Sequence, residues 1–134
     1  MTNIEKINEF LNDADVWYFL TSDGKQPKGR PFRFHLLQDG ILYFGTGTFK
    51  QVFQQMKENP HVEVLAVRRD EFLRYDGEVV FEKDDTIANA VLAANPPFQK
   101  IYSKQTGFKL GIFHLESGKA EIRTMFGQKE AFEV

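Results

Sequence analysis

The sequence predicts an α+β protein built on an antiparallel, barrel-like sheet. Six or seven segments are rich in strand-forming residues and follow one another mainly as hairpins, whereas about three segments show helical periodicity. About six antiparallel strands of ordinary length are enough to close a small barrel. The chain has 134 residues, which suits one domain spanning residues 1–134.

The first third of the chain predicts one helix and an antiparallel meander. Thr2 and Glu5 form a capping-box pattern, and apolar residues on one helical face continue to about Asn12. Turns at Asp23-Gly24 and Asp39-Gly40 separate the strand-like segments that follow. The strands are predicted at residues 16–22, 28–37 and 41–45.

The remaining chain predicts two helices and four strands. One helix starts at Thr48 and stops before Asn59-Pro60, and Asp84 or Asp85 caps the other. Residues 98–107 are predicted to be irregular. The helices are predicted at 48–58 and 86–94. Two strands are predicted at 61–69 and 71–82, the second with a bulge at Asp76-Gly77. The last two strands, 109–116 and 119–126, are predicted to form a hairpin around Ser117-Gly118.

Composition excludes several classes of site and partner. The absence of cysteine removes disulfides, thiolate metal sites and cysteine nucleophiles. No run approaches the roughly 18 apolar residues of a membrane span, and the polar start of the chain does not resemble a secretory signal. The net charge of −2 is unlike that of dedicated nucleic-acid binders, which are basic. We therefore expect a cytoplasmic protein with neither membrane nor nucleic-acid partners.

The most distinctive number in the composition is 14 Phe in a small chain. So many rings are not all expected in the core, so some should line a ligand cleft or a subunit interface. This excess is a first indication of an oligomer.

The stretch "YFGTGTFKQ", residues 43–51, predicts an anion site where a strand meets a helix. Thr48 is the predicted N-cap, with its hydroxyl accepting from the amide of Gln51. Thr46 offers a further donor, and Lys50 adds a positive charge beside the free amides of the helix start. The alternative is a capped helix with a surface lysine.

A second cationic stretch is "GRPFRFH", residues 29–35. Pro31 cannot donate to a strand ladder, which indicates an edge strand or a local bend. Arg30 and Arg33 fall on opposite faces of a regular strand, so that one can point into a cleft, and an arginine fork suits phosphate. The alternative is two solvated arginines. In a meander, Arg30 would lie near the strand-to-helix junction at residues 46–50. A phosphate could then bind between Arg30 and this junction.

These stretches resemble the pyridoxamine 5′-phosphate oxidase-like, FMN-binding split-barrel proteins, in particular the small single-domain branch that includes nitroimidazole-resistance-type proteins. The similar motifs lie within residues 5–126 and read "WYFLTSDGKQPKGRPF", "DGILYFGTGTFKQVFQQMKENPHVEV" and "RYDGEVVF". The resemblance implies a six- to seven-stranded split β-barrel with about three flanking helices. It also implies a homodimer with each FMN at the subunit interface, in agreement with the surplus of Phe.

The resemblance also implies roles for individual residues. Arg30 would contact the FMN phosphate, and Thr46, Thr48 and Lys50 would hold it from the loop and helix start. The backbone of the strand segment formed by Pro31, Phe32 and Arg33 would meet the edge of the flavin ring.

The sequence departs from pyridoxamine 5′-phosphate oxidases proper. Phe72 occupies the position where those enzymes carry an FMN-contacting glutamine, and the last segment has neither their Arg-x-His pair nor their tryptophan. The only tryptophan is Trp17. We therefore expect the fold and the flavin to carry over, but not the vitamin B6 reaction.

No general acid, base or nucleophile is identified from the sequence. His35, His61 and His114 lie far apart without ligand partners at helical spacing, so we expect no metal site, and no serine lies in a nucleophile elbow. This suits a flavoprotein, in which the cofactor carries the redox chemistry.

Three functional hypotheses remain open. The first is an FMN-dependent oxidoreductase for small molecules, with NAD(P)H as a transient donor because no G-x-G-x-x-G motif is present. The second is a flavin-binding protein without a dedicated reaction, such as a stress-related protein. The third is a split barrel that binds another planar ligand such as haem.

Overall fold

The computed structural model describes all 134 residues, which form four helices and eight strands. In chain order the elements are α1 (Asn3–Ala14), β1 (Trp17–Ser22), β2 (Pro27–Phe32), β3 (His35–Gln38), β4 (Ile41–Gly47), α2 (Gln51–Glu58), β5 (His61–Arg68), β6 (Glu71–Phe81), α3 (Thr86–Ala94), α4 (Pro96–Ile101), β7 (Leu110–Thr124) and β8 (Gly127–Glu133). None of the four helices is long and apolar enough to cross a membrane.

One antiparallel sheet contains every strand, which confirms the α+β class. Its order is β2-β1-β5-β6-β7-β4-β3, and β8 pairs with the C-terminal half of β7. Strands β2 and β3 are the two ends of this order, although only Arg33 and Phe34 separate them in the chain. Because so short a link spans roughly 10 Å at most, the sheet must curl until its two ends lie close together.

Aromatic rings fill the barrel interior where the two ends of the sheet lie close together. The fully buried ring of Trp17 in β1 packs edge-on against Phe32 of β2 and Phe44 of β4, with ring centroids 5.5 and 5.3 Å apart. Trp17 therefore connects the interiors of strands from both halves of the sheet. Most of the 14 Phe are buried or half-buried, and only Phe49, Phe108 and Phe126 are exposed.

Helix α1 covers the barrel interior, whereas α3 and α4 cover the outside of the sheet. The capping box of α1 is present as predicted, with Thr2 and Glu5 each bonding the other's backbone amide, and the helix buries Ile7 and Phe10 fully. Because side chains alternate across a strand, α3 and α4 meet the opposite face of β4 and β7, around Tyr43.

The predicted strand 28–37 is wrong as a single element. The chain leaves β2 after Phe32 and begins β3 only at His35, because it must cross from one edge of the sheet to the other. The meander was wrong for the same reason, since β2 pairs with β1 alone and not with β4. Pro31 does lie on an edge strand, as its missing N–H predicted.

The predicted hairpin at Ser117-Gly118 is also wrong, because β7 runs through this point for 15 residues. Gly77 in β6 faces two residues of β7, so the paired strands bulge and bend together here. Ser117 takes a positive φ of 53° at the bend, and a Cβ on Gly118 would lie 2.8 Å from the Tyr75 ring. The turn residues at Ser117-Gly118 therefore mark a bulge. The hairpin in this part of the chain joins β7 to β8, and β8 was not predicted from the sequence.

Candidate functional site

A cavity of about 710 Å³ lies between edge strand β2, the start of α2 and helix α4. This volume is within the range of small-molecule sites. Six of the seven residues named from the sequence line it: Arg30, Pro31, Phe32, Arg33, Thr46 and Lys50. The two cationic stretches therefore meet at one place, although not through the meander that was expected.

Arg30 is fixed at three points on the inner side of β2. Its Nη1 donates to the backbone oxygen of Phe19 at 3.1 Å and to Oγ1 of Thr21 at 2.9 Å, and its Nη2 donates to Oε1 of Gln55 at 3.1 Å. A guanidinium has five N–H donors, so about two, including Nε–H, remain for a ligand. Burial lowers the pKa of Arg30, but a guanidinium remains protonated in proteins.

Gln55 and Thr21 are positioning residues that sequence reasoning missed. The Thr21 hydroxyl donates to Oε1 of Gln55 at 2.6 Å, so both residues hold the same edge of the Arg30 guanidinium. A signal was present, because Gln55 lies between Val52 and Met56 on the buried stripe of α2, where a polar side chain needs a partner.

Lys50 is the N-cap of α2, which corrects the assignment of that role to Thr48. The helix begins at Gln51 and has no side-chain cap, so the amides of Gln51 and Val52 are free for solvent or for an anion, whereas the Phe53 amide donates to the backbone oxygen of Lys50 at 3.1 Å. Lys50 lines the cavity at this positive end of the helix.

Thr48 does not line the cavity. Its amide donates to the backbone oxygen of Lys109 at 2.9 Å, and its methyl packs against Gly111 of β7. Thr48 thus joins the 46–50 junction to β7 and lines a separate, smaller cavity with Phe53 and Phe81. The hydroxyl of Thr46, by contrast, belongs to a residue only 4% exposed that lines the main cavity.

The β2 segment contributes surfaces of different kinds. Phe32 stacks on Phe19 with ring centroids 5.1 Å apart, which fixes this wall. Arg33 is exposed and lies 3.8 Å from the Asp15 carboxylate, so its side chain is solvated at the cavity mouth. Pro31 is exposed on the edge strand.

The wall contributed by α4 and the β2–β3 link is apolar and aromatic. Phe98 packs edge-on against Phe34 with ring centroids 5.7 Å apart, and Ile101 and Tyr102 complete the wall. Residues 98–107 were predicted to be irregular, so this wall was not expected from the sequence, although Pro96 begins a helix that continues to Ile101.

None of the three histidines lines this cavity. His35 Nδ1 lies 2.7 Å from Oδ1 of Asn8, and His61 is exposed. His114 lies between Glu82 and Glu116, each with a carboxylate oxygen 3.3 Å from a ring nitrogen. Phe72, at the position of the family's glutamine, lies on β6 under Arg74 and does not line the cavity.

The sequence profile of the family described as pyridoxamine 5′-phosphate oxidase matches residues 4–124, which is most of the chain. The chain belongs to the pyridoxamine 5′-phosphate oxidase family. This family is known for flavin binding, and its split-barrel fold is the one described above. No curated protein matches the sequence.

Solved structures show the same fold. A NimC/NimA family protein from Clostridium acetobutylicum is 27% identical, with a TM-score of 0.86 over 100% of this chain and 95% of that chain. General Stress Protein 26 from Bacillus anthracis is 17% identical, with a TM-score of 0.70 over 100% of both chains. A haem binding protein from Mycobacterium smegmatis is 13% identical, with a TM-score of 0.70 over 99% of this chain and 58% of that chain.

Proposed function

We propose that this protein binds FMN in the 710 Å³ cavity and acts as a small-molecule oxidoreductase. The observation that carries the proposal is the union, in one cavity, of a cationic end and an aromatic wall. Arg30, Thr46 and Lys50 form the cationic end, beside the uncapped start of α2. A phosphate attached to a large planar ring system matches both features.

The cationic end has the donor set of a phosphate site. The positive end of α2 and the Lys50 ammonium favour a dianion, and the remaining N–H groups of Arg30 add directional donors. Gln55 holds the guanidinium in place before any ligand arrives, which reduces the ordering cost of binding.

Bound FMN would supply the redox chemistry. The protein's residues hold the cofactor, and the aromatic wall excludes water from its ring. The chain has no Rossmann motif, so a reduced nicotinamide would be a transient donor in the same cavity, followed by a small-molecule acceptor.

We also propose that the working form is a homodimer with each cavity at the interface. The outer face of β1, β5 and β6, where an antiparallel sheet usually presents polar residues, is partly apolar: Tyr18 is 46% and Val67 57% exposed. Tyr18 is the register partner of Pro31, which lines the cavity, so this face adjoins the cavity mouth. A second copy packed here would shield the cavity.

Two alternatives remain for the same cavity. A flavin-binding protein without turnover would have the same residues. A haem ligand is suggested by the Mycobacterium smegmatis neighbour, but no histidine, cysteine or methionine lines the cavity, and Tyr102 is the one side chain there of a type that ligates haem iron.

Calorimetric titration with FMN, FAD and riboflavin tests the proposal. We expect FMN to bind most tightly, because riboflavin lacks the phosphate and FAD adds a nucleotide that the cavity does not provide for. Equal affinity for FMN and riboflavin would contradict the phosphate site. Bleaching of the bound flavin by NAD(P)H supports the oxidoreductase, a yellow but inert protein supports the non-catalytic alternative, and binding of haem but not flavin supports the third.

A further inference from the structure

Tyr102 places a phenol in the apolar wall of the cavity. The residue follows α4 and lines the cavity beside Phe98 and Ile101. Its hydroxyl forms no hydrogen bond within the protein, so it is the one polar group in a wall that is otherwise apolar. A half-buried hydroxyl is most stable when it finds a partner.

The Tyr102 ring is held in a fixed position. It meets the Phe98 ring edge-on, with centroids 6.2 Å apart and planes at 87°, and its amide donates to the backbone oxygen of Phe98 at 2.8 Å. Thr106 fixes the chain on both sides of Tyr102, because its hydroxyl donates to the Ile101 oxygen at 2.7 Å and accepts from the Ser103 amide at 3.3 Å. The phenol is therefore presented to the cavity by a braced segment.

The phenol keeps its proton under ordinary conditions. Burial raises the pKa of Tyr102 above its usual value near 10, since the phenolate would lose hydration. The hydroxyl is thus available as a donor at neutral pH.

We propose that Tyr102 binds the ring of the flavin, donating its hydrogen bond to a ring carbonyl oxygen or ring nitrogen. The inference rests on the FMN site proposed above. The ring is the part of FMN that offers acceptors within a large apolar surface, which suits a single phenol among Phe98 and Ile101. The phosphate is a poorer match, because the charged donors that a dianion needs come from Arg30 and Lys50 and not from this apolar wall.

The test titrates Tyr102→Phe with both FMN and riboflavin, which share the ring and differ in the phosphate. A net hydrogen bond corresponds to about a twofold to tenfold loss of affinity, and we expect the same factor for both ligands. We also expect a changed absorption spectrum of the bound flavin. Tyr43→Phe is the matched control, because it removes the same atom from a tyrosine of β4 that does not line the cavity, and it should leave both affinities unchanged.

Three results would overturn the inference. Unchanged affinities and spectrum in Tyr102→Phe would show that the phenol does not touch the ring, and a loss restricted to FMN would place it at the phosphate. Wild-type protein that binds neither ligand would overturn the proposed FMN site itself, and is thereby distinguished from the first two results. Thermal melting of the variant verifies that removing this one hydroxyl leaves the fold intact.

Discussion

The guanidinium of Arg30 donates to the side-chain oxygen of Gln55 at 3.1 Å, which joins edge strand β2 to helix α2. Thr21 of β1 completes the arrangement by donating to the same oxygen at 2.6 Å. Three separate elements therefore determine where the Arg30 charge lies, beside the helix start that carries Lys50.

Replacing Gln55 by leucine should weaken FMN binding. The change keeps most of the side-chain volume but leaves donors of Arg30 and Thr21 without their acceptor, so we expect about a threefold to tenfold loss of affinity and a loss of about 1 kcal/mol in the free energy of unfolding. Flavin fluorescence titration and urea unfolding measure the two effects. Gln54→Leu, on the exposed side of the same helix, is the control, and equal effects of the two variants would show that Gln55 does not position Arg30.

Arg30→Lys should lose most of the contribution of Arg30. A single ammonium group cannot bond Phe19, Thr21 and Gln55 and also present a planar fork to a phosphate. We expect about a tenfold or greater loss of FMN affinity in Arg30→Lys, and a loss at least as large in Arg30→Ala. Arg33→Lys should change affinity little, because that side chain is 72% exposed. If Arg30→Lys binds FMN as the wild type does, the fork has no role.

Local signals determined what could be predicted from the sequence. The α1 capping box, the bulge at Gly77 and the edge position of Pro31 each depend on neighbouring residues and on backbone chemistry, and all three are present. The break at residues 33–34 and the continuity of β7 depend on how the whole sheet curls. This curl cannot be predicted from any short stretch of the sequence.

The candidate site divides in the same way. Arg30 and Lys50 were found because each lies in a short stretch with its own anion-binding character. Gln55 and Tyr102 were missed because their roles arise only where α2 and α4 pack against the barrel edge. Thr48 was misassigned because α2 begins two residues later than an N-cap at Thr48 would imply. The Thr48 amide instead donates to the backbone oxygen of Lys109, just before β7.

Acidification should destabilise the protein partly through His35. Burial lowers the pKa of His35 below its ordinary value of about 6.5, so in the range just below 6.5 the unfolded chain binds a proton that the folded chain does not. Stability is therefore full above this range and falls as the pH is lowered through it. Urea unfolding at several pH values should show a smaller loss in His35→Gln than in the wild type.

His61→Gln is the control for this effect, since the His61 side chain is 71% exposed. The comparison separates the burial of His35 from the removal of any histidine. A His35→Gln profile parallel to that of the wild type would contradict the assignment to His35.

A charge on the outer face of β5 should prevent dimerisation. Val67 is 57% exposed on the face proposed as the subunit interface, and lysine there would bring a desolvated charge into an apolar contact. Sedimentation velocity at low micromolar concentration should show about twice the chain mass for the wild type and the chain mass for Val67→Lys. Met125→Lys, at the exposed β7–β8 turn, should remain a dimer. A wild-type monomer, or a Val67→Lys dimer, would contradict the proposed face.

The most direct test of the FMN site compares Lys50→Ala with Lys57→Ala, two lysines at opposite ends of α2, in titrations with FMN and riboflavin. Lys57 packs over the Phe53 ring, 5.8 Å from its centre, and exposed charges are screened beyond about 10 Å in ordinary salt. We predict that Lys50→Ala weakens FMN binding by about tenfold to a hundredfold and leaves riboflavin binding unchanged. We predict that Lys57→Ala changes the affinity for neither FMN nor riboflavin. Equal FMN affinities for the two folded variants would contradict the phosphate site at the start of α2.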